Sequence, residues 1–156
     1  MITIEPGRPK DVNAIEALEN EAFESDKTNR EQFQRYLKHN LESSVLLVGR
    51  DENQKVKGYV LVWTCKSHNT ARIHGLAVRK CAYGTGLGEA LLESACSIAA
   101  TGYNCSAIRL EVRTDNQYAM KRYEKSGFRR IGSKERYYAD GCAAFSYERN
   151  IGLVNK

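Results

Sequence analysis

Two prolines and one tryptophan in 156 residues exclude a proline-rich linker or recognition arm. No apolar run approaches the roughly 20 residues that a membrane helix needs, so no membrane partner is expected. The opening stretch "MITIEPGRPKD" has no apolar core of the kind a signal peptide carries, and none is expected here. Five cysteines (Cys65, Cys81, Cys96, Cys105 and Cys142) are odd in number and never spaced as CxxC. That pattern argues against a disulfide framework and a zinc site, and for a reducing, cytoplasmic compartment. Three histidines (His39, His68 and His74) form no metal-ligating pair, so no metal is expected. Lys and Arg exceed Asp and Glu for a net charge of +5, but they are spread along the chain. A solvated surface explains that charge without nucleic acid.

What remains is the composition of an ordinary globular chain, 42% hydrophobic and 28% charged, long enough to bury a core. With no repeat and no low-complexity run, residues 1–150 read as one domain and 151–156 as a short tail. "ITIE" reads as a strand, and Pro9 opens a helix with Val12, Ile15, Leu18, Ala22 and Phe23 near helical spacing. A second helix is predicted from about Asn29 to His39. Three β-rich runs follow, "SVLLVGRD", "KVKGYVLVWTCK" and "TARIHGLAVR", separated by turn signals as in an antiparallel meander.

The next segment, "YGTGLGEALLESA", places Gly84, Gly86 and Gly88 directly before a helical apolar pattern of Leu87, Leu91, Ala95, Ile98 and Ala99. Gly102 is the expected C-terminal stop. "AIRLEVR" alternates as a strand, and "DNQYAMKRYEKSGF" reads as a helix capped at Asp115 and ended by Gly127. Two last strands, near 129–138 and 142–149, flank "ADG", a hairpin signal. The order βααβββαβαββ predicts an α/β fold with a mixed sheet of roughly seven strands and one βαβ crossover at the glycines.

A strand, a glycine loop and a helix N-terminus together make a phosphate-binding arrangement. Helix amides without partners face the ligand, and glycines let backbone approach an anion. A P-loop is excluded because no Lys follows the last glycine. A dinucleotide fingerprint is excluded because Glu89 stands at its third glycine position.

Tyr83-Gly84-Thr85-Gly86-Leu87-Gly88 resembles the acyl-CoA-binding motif of the GNAT acetyltransferase superfamily, [RQ]xxGx[GA]. Tyr83 stands where the family has Arg or Gln; Arg79 and Lys80 are the nearby cations that would compensate. The resemblance implies the GNAT fold over essentially the whole chain, with helices on both faces of the sheet. It also implies acetyl-CoA as co-substrate, bound by residues 83–88 and by the backbone of Leu76, Ala77 and Val78.

Acetyl transfer to an amine requires that the amine lose a proton, that an oxyanion find donors and that the leaving thiolate gain a proton. Arg109, Glu111 and Arg113 share one strand face, opposite Ile108, Leu110 and Val112. Asn116 and Tyr123 lie seven residues apart, about 10 Å of rise along one helix face. By themselves Glu111 reads as a surface carboxylate and Tyr123 as core.

"LEVRTDNQYAMKRYEKSGF" is similar to the corresponding segment of RimI-type enzymes, the ribosomal-protein-alanine N-acetyltransferase branch. That resemblance implies Glu111 as general base, Asn116 as a cofactor ligand and Tyr123 as the acid that protonates the thiolate. It also implies that Tyr137 and Tyr138, similar to a tyrosine pair in those enzymes, contact substrate. Where those enzymes carry acidic residues after the turn, this chain has Cys142 and Ala143.

The expectation is therefore an N-acetyltransferase acting by direct attack in a ternary complex, on a protein N-terminus, as a monomer or homodimer. Two alternatives stand beside it. One is a small-amine acceptor, such as a polyamine, amino acid or aminoglycoside, drawn by the acidic run Glu19, Glu21, Glu24 and Asp26. The other is a non-catalytic acyl-CoA-binding regulatory module.

Overall fold

Alternating apolar residues build a sheet whose middle is sealed on both sides. The computed structural model describes residues 1–64 and 69–152. Cys65, His68 and the last four positions of the expected tail lie outside the described residues. In chain order the elements are β1 (Thr3–Pro6), α1 (Val12–Ala22), α2 (Arg30–Lys38), β2 (Ser44–Arg50), β3 (Val56–Trp63) and β4 (Thr70–Val78). Then come α3 (Leu87–Tyr103), β5 (Ala107–Arg113), α4 (Gln117–Lys125), β6 (Arg129–Lys134) and β7 (Ala144–Asn150). The seven strands form one sheet ordered β1-β2-β3-β4-β5-β7-β6. All pairings are antiparallel except β4 with β5. The expected order and mixed sheet are present.

α3 covers one face through Leu87, Leu91, Leu92, Ala95 and Ala99, packed on Val45, Val60, Val62, Ile108 and Leu110. α1 and α2 cover the other face over β2 and β3, where Ile15, Leu18, Phe33 and Leu37 meet Leu46, Val48, Tyr59 and Leu61. At roughly 1.5–3 kcal/mol for each large side chain buried, these two layers are the main driving force for the fold.

Several element ends differ from the sequence expectation. Pro9–Asp11 is a 3-10 turn, and α1 begins only at Val12. Phe23 lies just past α1, and Asn29 caps α2 by accepting from the Gln32 N–H. α3 runs through Gly102 and stops at Asn104, whose left-handed φ of 58° closes the helix; asparagine tolerates that conformation. The cap of α4 is Asn116, which accepts from the Ala119 N–H, while Asp115 pairs with Arg113. The Asp-Gly turn does form, with Tyr138 N–H donating to Cys142 O and Gly141 N–H to Tyr138 O. The ladder, however, ends at the Lys134–Ala144 pair. Residues 135–143 are therefore a loop, and Tyr137 and Tyr138 lie off the strands.

Candidate active site

β4 and β5 pair at only three positions, Thr70–Ala107, Ala71–Ile108 and Arg72–Arg109. Beyond Arg72 they part, and the edge of β4 that faces β5 has no strand beside it. Leu76, Ala77 and Val78 occupy this open stretch. Their other edge pairs with Val60, Tyr59 and Gly58 of β3. A bulge at His74 marks where the strand bends, since Leu61 pairs with Gly75 while Val62 pairs with Ile73. The His74 ring stacks on Trp63 with centroids 3.9 Å apart. Burial, aided by Arg72, pulls its pKa below the usual value.

The glycine loop stands at the wide end of this gap. Gly84 and Gly86 have φ of 79° and 86°, and nothing lies within 4 Å of where a Cβ would project. Their glycines meet a backbone requirement, not a steric one. Among the described residues, the N–H groups of Gly84, Gly86, Gly88 and Glu89 have no hydrogen-bond partner. Thr85 serves the loop itself: its hydroxyl donates to Ala82 O at 2.6 Å and accepts from Leu87 N–H at 3.4 Å. Leu87 is buried as the first core residue of α3. Tyr83 is exposed. The loop lines a cavity of about 220 Å³ together with Val78, Ala82, Tyr118 and Arg122. This cradle of free amides fits a diphosphate.

Neither cation expected to compensate for Tyr83 lines this cavity. Arg79 Nη1 lies 3.8 Å from Glu21 Oε1, and the Lys80 backbone N–H, not its ammonium, donates to Glu21 Oε2 at 3.0 Å. Arg122 and Tyr118 line the cavity instead. Their i, i+4 spacing on α4 was the available sequence signal.

Across the gap, Glu111 on β5 faces the side away from α3, and its carboxylate is nearly closed off from solvent. Oε1 accepts from Arg72 Nη1, while Oε2 accepts from Ser146 Oγ at 2.9 Å and pairs with Lys134 Nζ at 3.1 Å. These three partners come from β4, β7 and β6, so no local spacing announces them.

Tyr123 packs against the α3-side core and meets Phe128 edge-to-face at 5.9 Å. Burial raises its hydroxyl pKa, against a smaller opposite pull from Arg122. The hydroxyl has no hydrogen-bond partner among the described residues. No solvent-sealed side-chain N or O among them lacks one, so this hydroxyl reaches open space. Asn116 uses its Oδ1 as the α4 cap, which leaves its amide nitrogen for other contacts.

Tyr138 and Tyr137 meet edge-to-face at 5.0 Å; Arg113 lies over the Tyr138 ring and Lys134 over the Tyr137 ring. Burial first, then the proximity of Tyr137 and Glu111, pushes the Tyr138 hydroxyl well up, and Tyr123 adds to the same shift. The loop residue Tyr138 thus sits within electrostatic reach of both Glu111 and Tyr123. Asp26, in the α1–α2 connection, accepts from the Ala139 N–H at 3.1 Å and ties that connection to the 135–143 loop.

Three residues of the acidic run, Glu19, Glu21 and Asp26, turn to protein partners. Glu19 is buried, accepting from Tyr59 Oη at 2.5 Å and Thr28 N–H at 2.8 Å. Glu21 faces Lys80, and Asp26 faces Ala139. No cluster of three or more His, Cys, Asp or Glu suited to a metal occurs among the described residues. No described helix is long and apolar enough to cross a membrane.

The acetyltransferase (GNAT) family model matches residues 11–128, a span running from the start of α1 through β4, the glycine loop and α4. The chain belongs to the GNAT acetyltransferase family. It is 36% identical over 81 residues to the N-alpha-acetyltransferase RimI of Mycobacterium tuberculosis, covering 51% of this chain and 49% of that one. It is 30% identical over 143 residues to an uncharacterized N-acetyltransferase of Methanocaldococcus jannaschii, covering 85% and 81%. The crystal structure of Ard1 from Thermoplasma volcanium superposes with a TM-score of 0.86 at 26% identity, covering 98% and 99%. The chain spans less than half the length of several curated relatives it matches, so the GNAT match fixes the family and not the acceptor.

Proposed function

We propose that this GNAT protein is an acetyl-CoA-dependent N-acetyltransferase acting on a protein N-terminal α-amine. The observation that carries the reading is the parting of β4 from β5 beside a loop of unpartnered amides. An open strand edge and an anion cradle lie end to end there, with Glu111 on the β5 side of the gap. Similarity to the mycobacterial N-alpha-acetyltransferase supports the choice of acceptor.

Bound acetyl-CoA supplies an activated thioester and a thiol leaving group. The amides of Gly84, Gly86, Gly88 and Glu89 hold the diphosphate, and the open edge of Leu76–Val78 holds the extended arm by backbone hydrogen bonds. Asn116 adds an amide donor near the start of α4. Tyr123, kept protonated by burial, holds the proton that the thiolate needs.

Glu111 is the proton acceptor for the amine, but both its oxygens are occupied. An incoming ammonium takes the place of Lys134 at Oε2, one cation for another. Lys134 is free to leave because its side chain is 42% exposed. Tyr137 and Tyr138 roof the same side and offer hydroxyls to a peptide backbone.

The small-amine reading loses its motivating feature, since Glu19, Glu21 and Asp26 turn to protein partners.

Release of free CoA thiol, measured with a panel of peptides, the same peptides with blocked N-termini, spermidine and an aminoglycoside, tests the proposal. Turnover is expected only with free N-termini. Turnover confined to the small amines would transfer the function to that class. Saturable acetyl-CoA binding with no turnover on any acceptor would make the protein a binding module.

A further inference from the structure

We propose that Arg122 supplies the positive charge for the coenzyme diphosphate, replacing the cation or amide that Tyr83 removes from the loop. The inference rests on the acetyl-CoA reading above and goes beyond it by assigning a ligand that the loop motif does not contain.

Three observations converge. Arg122 lines the same cavity as Gly84, Gly86 and Gly88, although it comes from α4. Its guanidinium lies against the helix entrance: a Cβ on Gly88 would stand 2.8 Å from Nη1 and 3.1 Å from Cζ. Gly88 is helical and has no left-handed φ, so its backbone would accept any residue. A side chain there would push the guanidinium, the flexible end of Arg122, out of the place it holds. Glycine at the third motif position leaves Arg122 room beside the loop.

The side chain is also held in position. Its guanidinium lies 5.2 Å from the Tyr118 ring centroid, Nη2 donates to Tyr118 Oη at 3.4 Å, and Nε lies 3.7 Å from Glu89 Oε2. Nη1 has no hydrogen-bond partner among the described residues. A planar fork held on one edge with a nitrogen left over suits a phosphate oxygen. Glu89 makes the need sharper, because its carboxylate lies in the first turn of α3 beside the free amides. Without Arg122, a diphosphate would meet that charge unopposed.

Calorimetric titration of the full chain with CoA and with dephospho-CoA tests the assignment. Arg122→Gln is expected to weaken both ligands by about tenfold to a hundredfold, the scale of one charge-assisted hydrogen bond. Tyr83→Arg added to Arg122→Gln is expected to recover most of the loss, which a packing defect would not allow. The proposal is overturned if Arg122→Gln binds CoA within about twofold of the parent protein; the acetyltransferase reading then stands without it. It is equally overturned if only CoA and not dephospho-CoA is affected, since Arg122 would then read the ribose phosphate. Failure of the double variant to recover would also overturn it. If the parent protein binds no CoA, both readings fall.

Discussion

The two halves of the sheet use ion pairs for different ends. In the half formed by β1 to β4, both faces of β2 and β3 are covered, and every residue of β2 is buried. Asp11 and Arg50 meet there in a bidentate pair, Oδ1 with Nη1 at 2.8 Å and Oδ2 with Nη2 at 2.6 Å, with Glu5 3.3 Å from Arg50 Nε. In the half formed by β5, β7 and β6, α3 and α4 cover one face only, and β6 is exposed along its whole length. Glu111 has three partners, Arg72, Ser146 and Lys134, but Lys134 and Arg72 reach solvent. A sealed pair is a structural clamp, because losing one member strands a buried charge. An open-sided cluster is exchangeable, which is the property a site for a charged acceptor needs.

Asp11→Ala should separate the halves most strongly. Leaving Arg50 buried with only Glu5 should cost about 3–5 kcal/mol, read as a lowered midpoint in urea. The acid limb tests the same pair. Burial alone would raise the Asp11 carboxyl, but Arg50 and the Arg8 N–H outweigh it and hold its pKa below the usual value. Its contribution is therefore complete above about pH 4 and lost as pH falls through the depressed pKa. The parent protein should lose stability over that acid range more steeply than Asp11→Ala.

On the open side, Tyr123→Phe should lower kcat by about a hundredfold or more while CoA affinity stays within about twofold; unchanged turnover would remove Tyr123 from the mechanism. Because burial raises its pKa, the hydroxyl stays protonated as pH rises through neutrality, and no alkaline loss of kcat below about pH 10 should trace to it.

Gly86→Ala forces a side chain onto a φ of 86°. It should cost roughly 1–2 kcal/mol and weaken CoA by about tenfold, seen by thermal melt and titration together. The smallest effect is expected at the exchangeable cation. Lys134→Met should leave stability within about 0.5 kcal/mol and lower the peptide KM two- to threefold, by roughly RT. A raised KM would mean that Lys134 binds the acceptor and does not yield to it.

Much of the frame was legible before any coordinates. Strands showed as alternation, helices as apolar spacing, and the glycine loop as a break with a purpose. Local competition moved the ends: Asn116 outcompeted Asp115 as a cap because Arg113 claimed the aspartate. Asn104, not Gly102, closed α3. The final hairpin opened into a loop because the Asp26 carboxylate and the Arg113–Asp140 pair, at 2.6 Å, hold its tip from outside the ladder. Arg79 and Lys80 looked like loop cations from their sequence position, but neither lines the cavity, and the Arg79 guanidinium faces Glu21 on α1.

The order of elements, the loop and the residue types at 111, 116 and 123 follow from the sequence alone, because periodicity and backbone chemistry are local. Which cation faces the loop, which groups bind Glu111 and which side of the sheet stays bare were decided only in the folded chain. Those partners are brought together by strand order, and charges far apart in sequence select one another only when the sheet sets them side by side.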